Sequence, residues 1–251
     1  MSRPRALFLD AHQTLFHESP PRAQIYAEVA ARHGLALEPA RIAAGMRHAF
    51  ATLPQRVDGH WRYTRPWFVR FIDLVFEQAG AAATPSLRDD LFARFATATT
   101  FALYPDVVPL LEAARPRVAV LGVISNWAPT LPVLLERLGL ARFFDVVLAS
   151  ASEELEKPDR ALFERALQQG GVAAHEALHV GDHPVNDLAG ARAAGLDARL
   201  LLRGVALETG APHDEGAVAP ADCITDLREL LALLPAAGDG QASTALRGAP
   251  R

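Results

Sequence analysis

The expected fold follows first from residues 6–14, which read Ala6-Leu-Phe-Leu-Asp10-Ala-His12-Gln-Thr14. Four consecutive apolar residues end at an acid, a pattern typical of a strand buried on both faces with a carboxylate at its carboxyl end. Similar apolar runs recur at residues 118–124, 145–149, 177–181 and 198–202. Helical patterns separate them, at residues 107–114, 130–138, 160–169, 186–194 and 226–234. Strands that alternate with helices predict an α/β fold, a doubly wound parallel sheet covered on both faces.

Residues 17–100 interrupt this alternation, because they contain four helical patterns and no convincing strand. The patterns cover residues 21–33, 39–53, 66–79 and 86–98. Prolines lie near three of the predicted helix starts, and Gly34 and Gly80 follow two of the predicted helix ends. Proline is common at the first position of a helix and glycine just after its last. We therefore expect a Rossmann-like core of residues 1–16 and 101–235 and an inserted α-helical cap of residues 17–100. The Gly-, Ala- and Ser-rich tail, residues 236–251, is expected to be disordered.

Composition excludes several classes of protein. The formal net charge of −4 argues against a nucleic-acid binder, which normally carries a basic face. The single cysteine, Cys223, rules out an intrachain disulfide and a four-thiolate zinc site. No apolar run approaches the roughly 18 residues of a membrane span, and the first one is too short for a secretion signal. We expect a cytoplasmic protein with no membrane partner, either a monomer or a homodimer.

One basic residue stands apart. Lys157 is the only lysine among 25 lysine and arginine residues. Arginine is a planar fork, whereas lysine is a compact point charge on a flexible stem. Lys157 is thus either a chance survivor in an arginine-rich chain or a position that arginine cannot fill.

Polar motifs follow the predicted strands, at the edge where parallel sheets bind ligands. In chain order they are Asp10-Ala-His12-Gln-Thr14, Ser125-Asn126, Lys157-Pro158 and Gly181-Asp182-His-Pro-Val-Asn-Asp187. Together they resemble the haloacid dehalogenase superfamily, whose motifs are D-x-D-x-T, a Ser or Thr after a strand, Lys-Pro and G-D-x-x-x-N-D. The stretches 34–39 and 179–182 further resemble the subgroup of haloacid dehalogenase-like hydrolase domain-containing protein 3 and the rhythmically expressed gene 2 product. The resemblance implies a hydrolase whose helical insert is a C1 cap.

The acidic residues of these motifs point to a metal ion. Asp10, Asp182 and Asp187 are expected to converge in one cleft, and close carboxylates repel one another unless a cation lies between them. Oxygen-only ligands of this charge suit Mg²⁺. The resemblance adds the backbone carbonyl of His12 as a further metal ligand. We therefore predict a magnesium cofactor held by these four residues.

The remaining motif residues predict the chemistry. Asp10 is placed to attack phosphorus and form an aspartyl-phosphate. Lys157 would balance the negative charge of the nucleophile and the phosphoryl group. Thr14, Ser125 and Asn126, together with Lys157, are predicted to bind the phosphoryl oxygens. The sequence thus favours a phosphatase of a small phosphorylated metabolite.

His12 departs from the family pattern, which has an aspartate there as the general acid and base. Three interpretations stay open: His12 is itself the acid and base, the acid is lost and activity is weak, or the protein binds a phospholigand without turnover. Gln13, where glycine is common in the family, is a further feature in favour of the last interpretation. A 2-haloacid dehalogenase, in which Asp10 attacks carbon without a metal, is a lower-ranked alternative.

Two smaller expectations concern residues outside the motifs. Arg62 and Arg65, on a loop of the predicted cap, are candidates for binding an anionic substrate, although a solvated arginine is the favoured interpretation. Asp159 is expected to cap the helix that follows it.

Overall fold

The computed structural model describes residues 3–204 and 218–237. In chain order its strands are β1 (Ala6–Leu9), β2 (Phe16–Glu18), β3 (Arg56–Val57), β4 (His60–Trp61), β5 (Phe101–Leu103), β6 (Val120–Ser125), β7 (Val146–Ala149), β8 (Ala177–Gly181), β9 (Asp197–Leu201) and β10 (Cys223–Ile224). Its α-helices are α1 (Arg22–Arg32), α2 (Pro39–Thr52), α3 (Arg65–Ala79), α4 (Pro85–Phe95), α5 (Val107–Ala114), α6 (Leu131–Arg137), α7 (Ser150–Glu153), α8 (Arg160–Gly170) and α9 (Gly190–Ala193). Short 3₁₀ turns and one π-helix, Pro184–Ala189, complete the described elements.

Six parallel strands form the central sheet in the order β10-β9-β8-β1-β6-β7. β1 lies in the middle, with Leu9 opposite Val123 of β6 and Val180 of β8. Successive side chains of a strand point to opposite faces, so Leu7 and Leu9 join one apolar cluster while Ala6 and Phe8 join the other. Both faces of the strand are therefore buried, which explains its unbroken apolar run.

Helices cover the two faces of the sheet. α5 and α6 pack on the face that holds Leu7, and α8 and α9 pack on the face that holds Phe8. This α/β layering confirms the predicted fold class, a doubly wound parallel sheet. The helix predicted at 107–114 has those bounds, and the helix at 160–169 ends one residue later than expected.

The helices α1 to α4 surround an apolar cluster of their own, with Trp67, Phe71 and Phe76 fully or almost fully buried in it. The paired strands β2 and β5 lie where the chain enters and leaves this helical segment, with Phe16 opposite Leu103. The four predicted helices of residues 17–100 are thus present.

The structure corrects the sequence predictions at several elements. Residues 56–61 form a small antiparallel hairpin, β3–β4, although no strand was expected there. The predicted helix 186–194 is a π-helix followed by α9, and the predicted helix 226–234 is a 3₁₀-helix, Leu227–Ala232. β10 was not expected. The predicted disordered tail lies outside the described residues from position 238 onward.

Membrane insertion was not expected. Within the two described ranges, the helices are too short or too polar to cross a bilayer.

Candidate active site

Parallel strands bring the predicted motifs together, because their carboxyl ends meet at one edge of the sheet. Asp10 follows β1, Ser125 ends β6, and Asp182 follows β8, the three central strands. A cavity of about 870 Å³ opens at this edge between the sheet and the helices α1 to α4. The predicted site residues that line it are Asp10, His12, Ser125, Asn126, Lys157, Asp182 and Asp187.

Lys157 is the central cation of the site. Its residue is 3% exposed, and its Nζ donates to Asp10 Oδ1 at 2.6 Å, Asp187 Oδ1 at 2.6 Å and the Ile124 carbonyl at 2.9 Å. Burial lowers the pKa of Lys157, but the Asp10 and Asp187 carboxylates more than offset this and raise it above its ordinary value. The ammonium therefore stays charged, with all three of its N–H groups used.

Asn126 fixes the backbone that carries this lysine. Its Nδ2 donates to the Lys157 carbonyl at 2.9 Å, and its Oδ1 accepts from the Lys157 N–H at 2.8 Å. Asn126 was predicted to bind phosphoryl oxygens. In the structure the side-chain amide of Asn126 is paired with the backbone of Lys157. These hydrogen bonds hold that backbone in place.

Asp187 is held from three sides. Its Oδ1 contacts Lys157 Nζ and accepts from His179 Nε2 at 2.9 Å, and its Oδ2 accepts from the His183 N–H at 3.0 Å. Burial raises the pKa of Asp187, but Lys157 and His179 outweigh it and hold the pKa below its ordinary value. The carboxylate lies against Gly181, where an added Cβ would come within 2.2 Å of the Asp187 carboxyl carbon. The glycine of the fourth motif is thus required by close approach.

His179 was not predicted as a site residue. It lies fully buried in β8, and its Nδ1 has no hydrogen-bond partner among the described residues. Burial lowers its pKa, so the ring is neutral and its one N–H faces Asp187. A histidine inside an apolar strand is indistinguishable in sequence from a packed core residue, which explains why it was missed.

Asp182 completes an acidic cluster. One carboxylate oxygen each from Asp10, Asp182 and Asp187 lies within 4.8 Å of the others. Burial, and then the neighbouring carboxylates of Asp10 and Asp187, raise the pKa of Asp182 well above its ordinary value. A hard divalent cation takes oxygen ligands and would relieve this repulsion. The donor set therefore fits a metal ion of the magnesium class.

His12 is oriented by a buried carboxylate that sequence reasoning missed. Its Nε2 lies 2.6 Å from Glu18 Oε2, and the Glu18 side chain is 2% exposed. The other Glu18 oxygen accepts from Nε of Arg22, the first residue of α1, at 2.8 Å. Burial raises the pKa of Glu18, but Arg22 and then His12 bring it below its ordinary value. The ionised Glu18 accepts the His12 N–H, which leaves Nδ1 as the ring's remaining nitrogen.

The two residues after His12 do not both reach the cavity. Gln13 lines it, in a left-handed conformation with φ 59°, and its Oε1 accepts from the Tyr104 hydroxyl at 2.6 Å. Thr14 is fully buried and does not line the cavity, and within the described ranges its hydroxyl has no hydrogen-bond partner. The structure therefore does not bring Thr14 to the other predicted phosphate-binding residues.

The cap arginines singled out in the sequence are both paired. Arg62 donates to the Leu53 carbonyl at 3.1 Å and lies 3.4 Å from Glu156, and Arg65 donates to Asp89 at 2.7 Å. Both line the cavity with side chains already engaged. Asp159 accepts from the Ala161 N–H at 2.9 Å, which confirms that it caps α8.

Comparison with known proteins gives a consistent assignment. The chain is 31% identical over 211 residues to human haloacid dehalogenase-like hydrolase domain-containing protein 3, covering 81% of this chain and 84% of that protein. It is 31% identical over 248 residues to phosphoserine phosphatase of Thermus thermophilus, covering 90% and 97%. A solved 2-haloacid dehalogenase of Pseudomonas syringae is 28% identical, with a TM-score of 0.63 over 92% and 97% of the chains.

The family comparison covers most of the chain. Residues 4–195 match the haloacid dehalogenase-like hydrolase family, which confirms the family predicted from the four motifs. The similarity to the rhythmically expressed gene 2 protein of Drosophila melanogaster, 26% over 218 residues, agrees with the predicted subgroup. The chain is therefore a hydrolase that belongs to the haloacid dehalogenase-like hydrolase family.

Proposed function

We propose that the protein is a magnesium-dependent phosphatase that hydrolyses a small phosphomonoester through an aspartyl-phosphate on Asp10. One observation carries the proposal: the buried ammonium of Lys157 lies 2.6 Å from both Asp10 and Asp187, beside the cavity that Asp182 also lines. A nucleophilic carboxylate, a fixed cation and further acidic groups thus meet where a phosphoryl group can enter. The similarity to phosphoserine phosphatase supports this choice among hydrolases.

In the first half-reaction, a carboxylate oxygen of Asp10 bonds to phosphorus while the bond from phosphorus to the leaving oxygen breaks. The leaving oxygen takes a proton and departs as an alcohol. Lys157 holds Asp10 in place and offsets the negative charge that gathers around the phosphoryl group. The Ser125 hydroxyl lines the cavity and is assigned to a phosphoryl oxygen. In the second half-reaction, water attacks phosphorus, phosphate leaves and the Asp10 carboxylate is restored.

Asp10, Asp182 and Asp187, with the backbone carbonyl of His12, are the residues that would hold Mg²⁺. When bound, the ion neutralises charge on the phosphoryl oxygens and the surrounding carboxylates. Lys157 contacts one oxygen of Asp10 and one of Asp187. The second Asp187 oxygen accepts the His183 N–H, and a carboxylate oxygen has a further lone pair that would serve the ion.

His12 is proposed as the general acid of the first half-reaction and the general base of the second. Glu18 accepts its Nε2–H and so orients the ring, as buried carboxylates do for catalytic histidines. Nδ1 then gives its proton to the leaving oxygen and later takes one from the attacking water. The pair replaces the aspartate that the family pattern has at this position.

Residues 17–100 are proposed to act as a cap on a core of residues 1–16 and 101–235. The cap helices contribute one wall of the cavity, and a closed wall excludes water from phosphoryl transfer. Arg22 of α1 reaches Glu18, so the entry of the cap also supports the His12 ring.

The metal requirement gives the first test. Hydrolysis of 4-nitrophenyl phosphate is expected to fall to background after treatment with a chelator and to return on addition of Mg²⁺, because three close carboxylates need a cation between them. Phosphate release is the measurement, and Ca²⁺, with longer bonds and a looser geometry, is the matched comparison. Full turnover in chelator would contradict the magnesium assignment.

The role of His12 gives the second test. His12→Asn is expected to lower kcat by about 10² to 10⁴-fold, the usual contribution of a general acid and base. Glu18→Gln should also lower kcat, because the His12 ring loses the carboxylate that orients it. His12→Asp supplies the family's own acid; if it raises activity strongly while His12→Asn changes little, the native chain lacks an acid and the proposal for His12 is wrong.

A dehalogenase is the second candidate, favoured by the 28% identity to a solved 2-haloacid dehalogenase. In that reaction Asp10 would attack carbon, displace halide and need no metal. The cluster of Asp182 with Asp10 and Asp187 argues against it. Halide release from 2-chloropropionate in the presence of chelator would establish this candidate, whereas magnesium-dependent phosphate binding without turnover would establish a phospholigand-binding protein.

A further inference from the structure

The cavity is larger than a phosphoryl group requires. At about 870 Å³ it lies in the upper part of the roughly 300–1,000 Å³ range of small-molecule sites. Its core end holds the carboxylates and Lys157, residues 125–130 line a further part of the core side, and the rest of its wall comes from the cap. The space beyond the phosphoryl site would hold the leaving group of the substrate. The residues of the cap wall therefore indicate the chemistry of that group.

The cap wall is rich in aromatic rings. Seven rings of the described helical segment line the cavity: Tyr26, Phe50, Tyr63, Phe68, Phe71, Phe92 and Phe95. Several of them pack against one another, with centroids 4.6 Å apart for Phe50 and Phe71 and 6.1 Å apart for Tyr63 and Phe68. Such a wall favours a ring or another apolar body, because it offers area and few hydrogen bonds.

The acidic residues of the lining do not suit an amino group. In the described residues every acidic side chain that lines the cavity comes from outside the cap helices: Asp10, Glu156, Asp182 and Asp187. Glu156 Oε1 is engaged by Arg62 and by Gln55, and its Oε2 is buried with no hydrogen-bond partner in the described part of the chain. Because all four acidic residues lie outside the cap, the cap wall itself offers no carboxylate for an ammonium such as that of phosphoserine.

Among the arginine and lysine residues that line the cavity, Arg47 of α2 is the one without an ion-pair partner in the described residues. The other four are paired within the protein: Arg22 with Glu18, Arg62 with Glu156, Arg65 with Asp89, and Lys157 with Asp10 and Asp187. Arg47 lines the cavity and is exposed, and within the described residues it makes no ion pair or hydrogen bond. A guanidinium presents a planar fork that matches a carboxylate or another oxyanion.

We propose that the leaving group of the substrate is an apolar, ring-bearing alcohol with an anionic oxygen group at its far end. The ring lies against the aromatic wall of the cap, and the anion pairs with Arg47. This inference rests on the proposed phosphatase function and names the class of substrate that the same cavity accepts.

The test compares three phosphomonoesters with similar leaving alcohols: ethyl phosphate, 2-phenylethyl phosphate and its 4-carboxy derivative. The ring is expected to raise kcat/KM about 10- to 100-fold over ethyl phosphate, as burial of a phenyl group would. The carboxylate should add a further two- to fivefold or so, the usual worth of an exposed ion pair. Both gains should appear mainly in KM, because they reflect binding away from the reacting atoms.

Arg47→Gln tests the anion site, with Arg41→Gln on the same helix as the matched control, since Arg41 is exposed and does not line the cavity. Arg47→Gln should abolish the advantage of the carboxylate over the plain ring, and Arg41→Gln should keep it. Preference for ethyl phosphate over the ring-bearing substrates would overturn the inference and leave the phosphatase proposal standing. Failure to hydrolyse any of these esters would instead overturn both.

Discussion

Asp10→Asn is expected to lower kcat for 4-nitrophenyl phosphate by roughly 10⁴-fold or more, because an amide cannot form the aspartyl-phosphate. The fold should survive the change. The amide oxygen can still accept from Lys157 Nζ, which now lies 2.6 Å from Asp10 Oδ1. Steady-state hydrolysis is the measurement, with circular dichroism to verify folding.

Asp159→Asn is the matched control for this substitution. Asp159 caps α8 through the Ala161 N–H and lies outside the cavity lining. Asparagine caps helices about as well as aspartate, so both activity and stability should stay close to wild type. Turnover that survives in Asp10→Asn would remove Asp10 from the nucleophile's role.

Lys157→Met is expected to have the second-largest effect, a loss of about 10² to 10³-fold in kcat, which is typical when a fixed charge at the reacting group is removed. It should also lower the free energy of unfolding by about 3–5 kcal/mol, because Asp10 and Asp187 remain buried without their cation. Added Mg²⁺ should recover part of the stability, since it can lie between the same carboxylates. Phosphate release and denaturant unfolding with and without Mg²⁺ measure the two effects.

Lys157→Arg should not restore activity. Three acceptors, Asp10, Asp187 and the Ile124 carbonyl, surround one ammonium, and a planar fork cannot present its N–H groups to all three. Arg160→Met is the matched control, because Arg160 forms an exposed pair with Glu164 and such pairs contribute about 0–1 kcal/mol. Wild-type turnover in Lys157→Arg would show that a charge alone suffices, and that the lysine is a chance survivor.

The core and its motifs were predictable because local signals and tertiary structure agree. β1, β6 and β8 are largely apolar runs with a polar residue at or just after the carboxyl end, and parallel strands bring such ends to one edge. Asp10, Asp182 and Lys157 could therefore be placed together before any coordinates were known. The contacts inside the cluster follow from the packing of that edge.

Glu18 and His179 could not be found in this way. Glu18 meets His12 only because the chain turns back after β1 and β2 pairs with β5, an arrangement that no periodicity encodes. The place of Thr14 in the motif suggested a phosphate contact. The turn buries the Thr14 side chain instead, and sequence periodicity does not encode that turn either. Contacts that depend on how a loop closes lie beyond sequence patterns.

The β3–β4 hairpin is different, because its signal was present in the sequence. Asp58 and Gly59 form the two-residue turn, with φ 49° and 81°. An Asp-Gly pair is a strong hairpin signal, but the flanking strands have only two residues each and lack a readable alternation. The Asp-Gly turn signal, beside so weak a strand pattern, was therefore not enough to predict the hairpin.

The most direct test of the central claim is to trap the covalent intermediate. The protein is mixed with substrate and Mg²⁺, quenched in acid within the first turnovers, digested and analysed by mass spectrometry. One phosphoryl group should be added to the peptide that contains Asp10 in the wild type, and it should be missing in Asp10→Asn. Turnover with no phosphoryl group on that peptide, or with the group on another residue, would show that Asp10 is not the nucleophile.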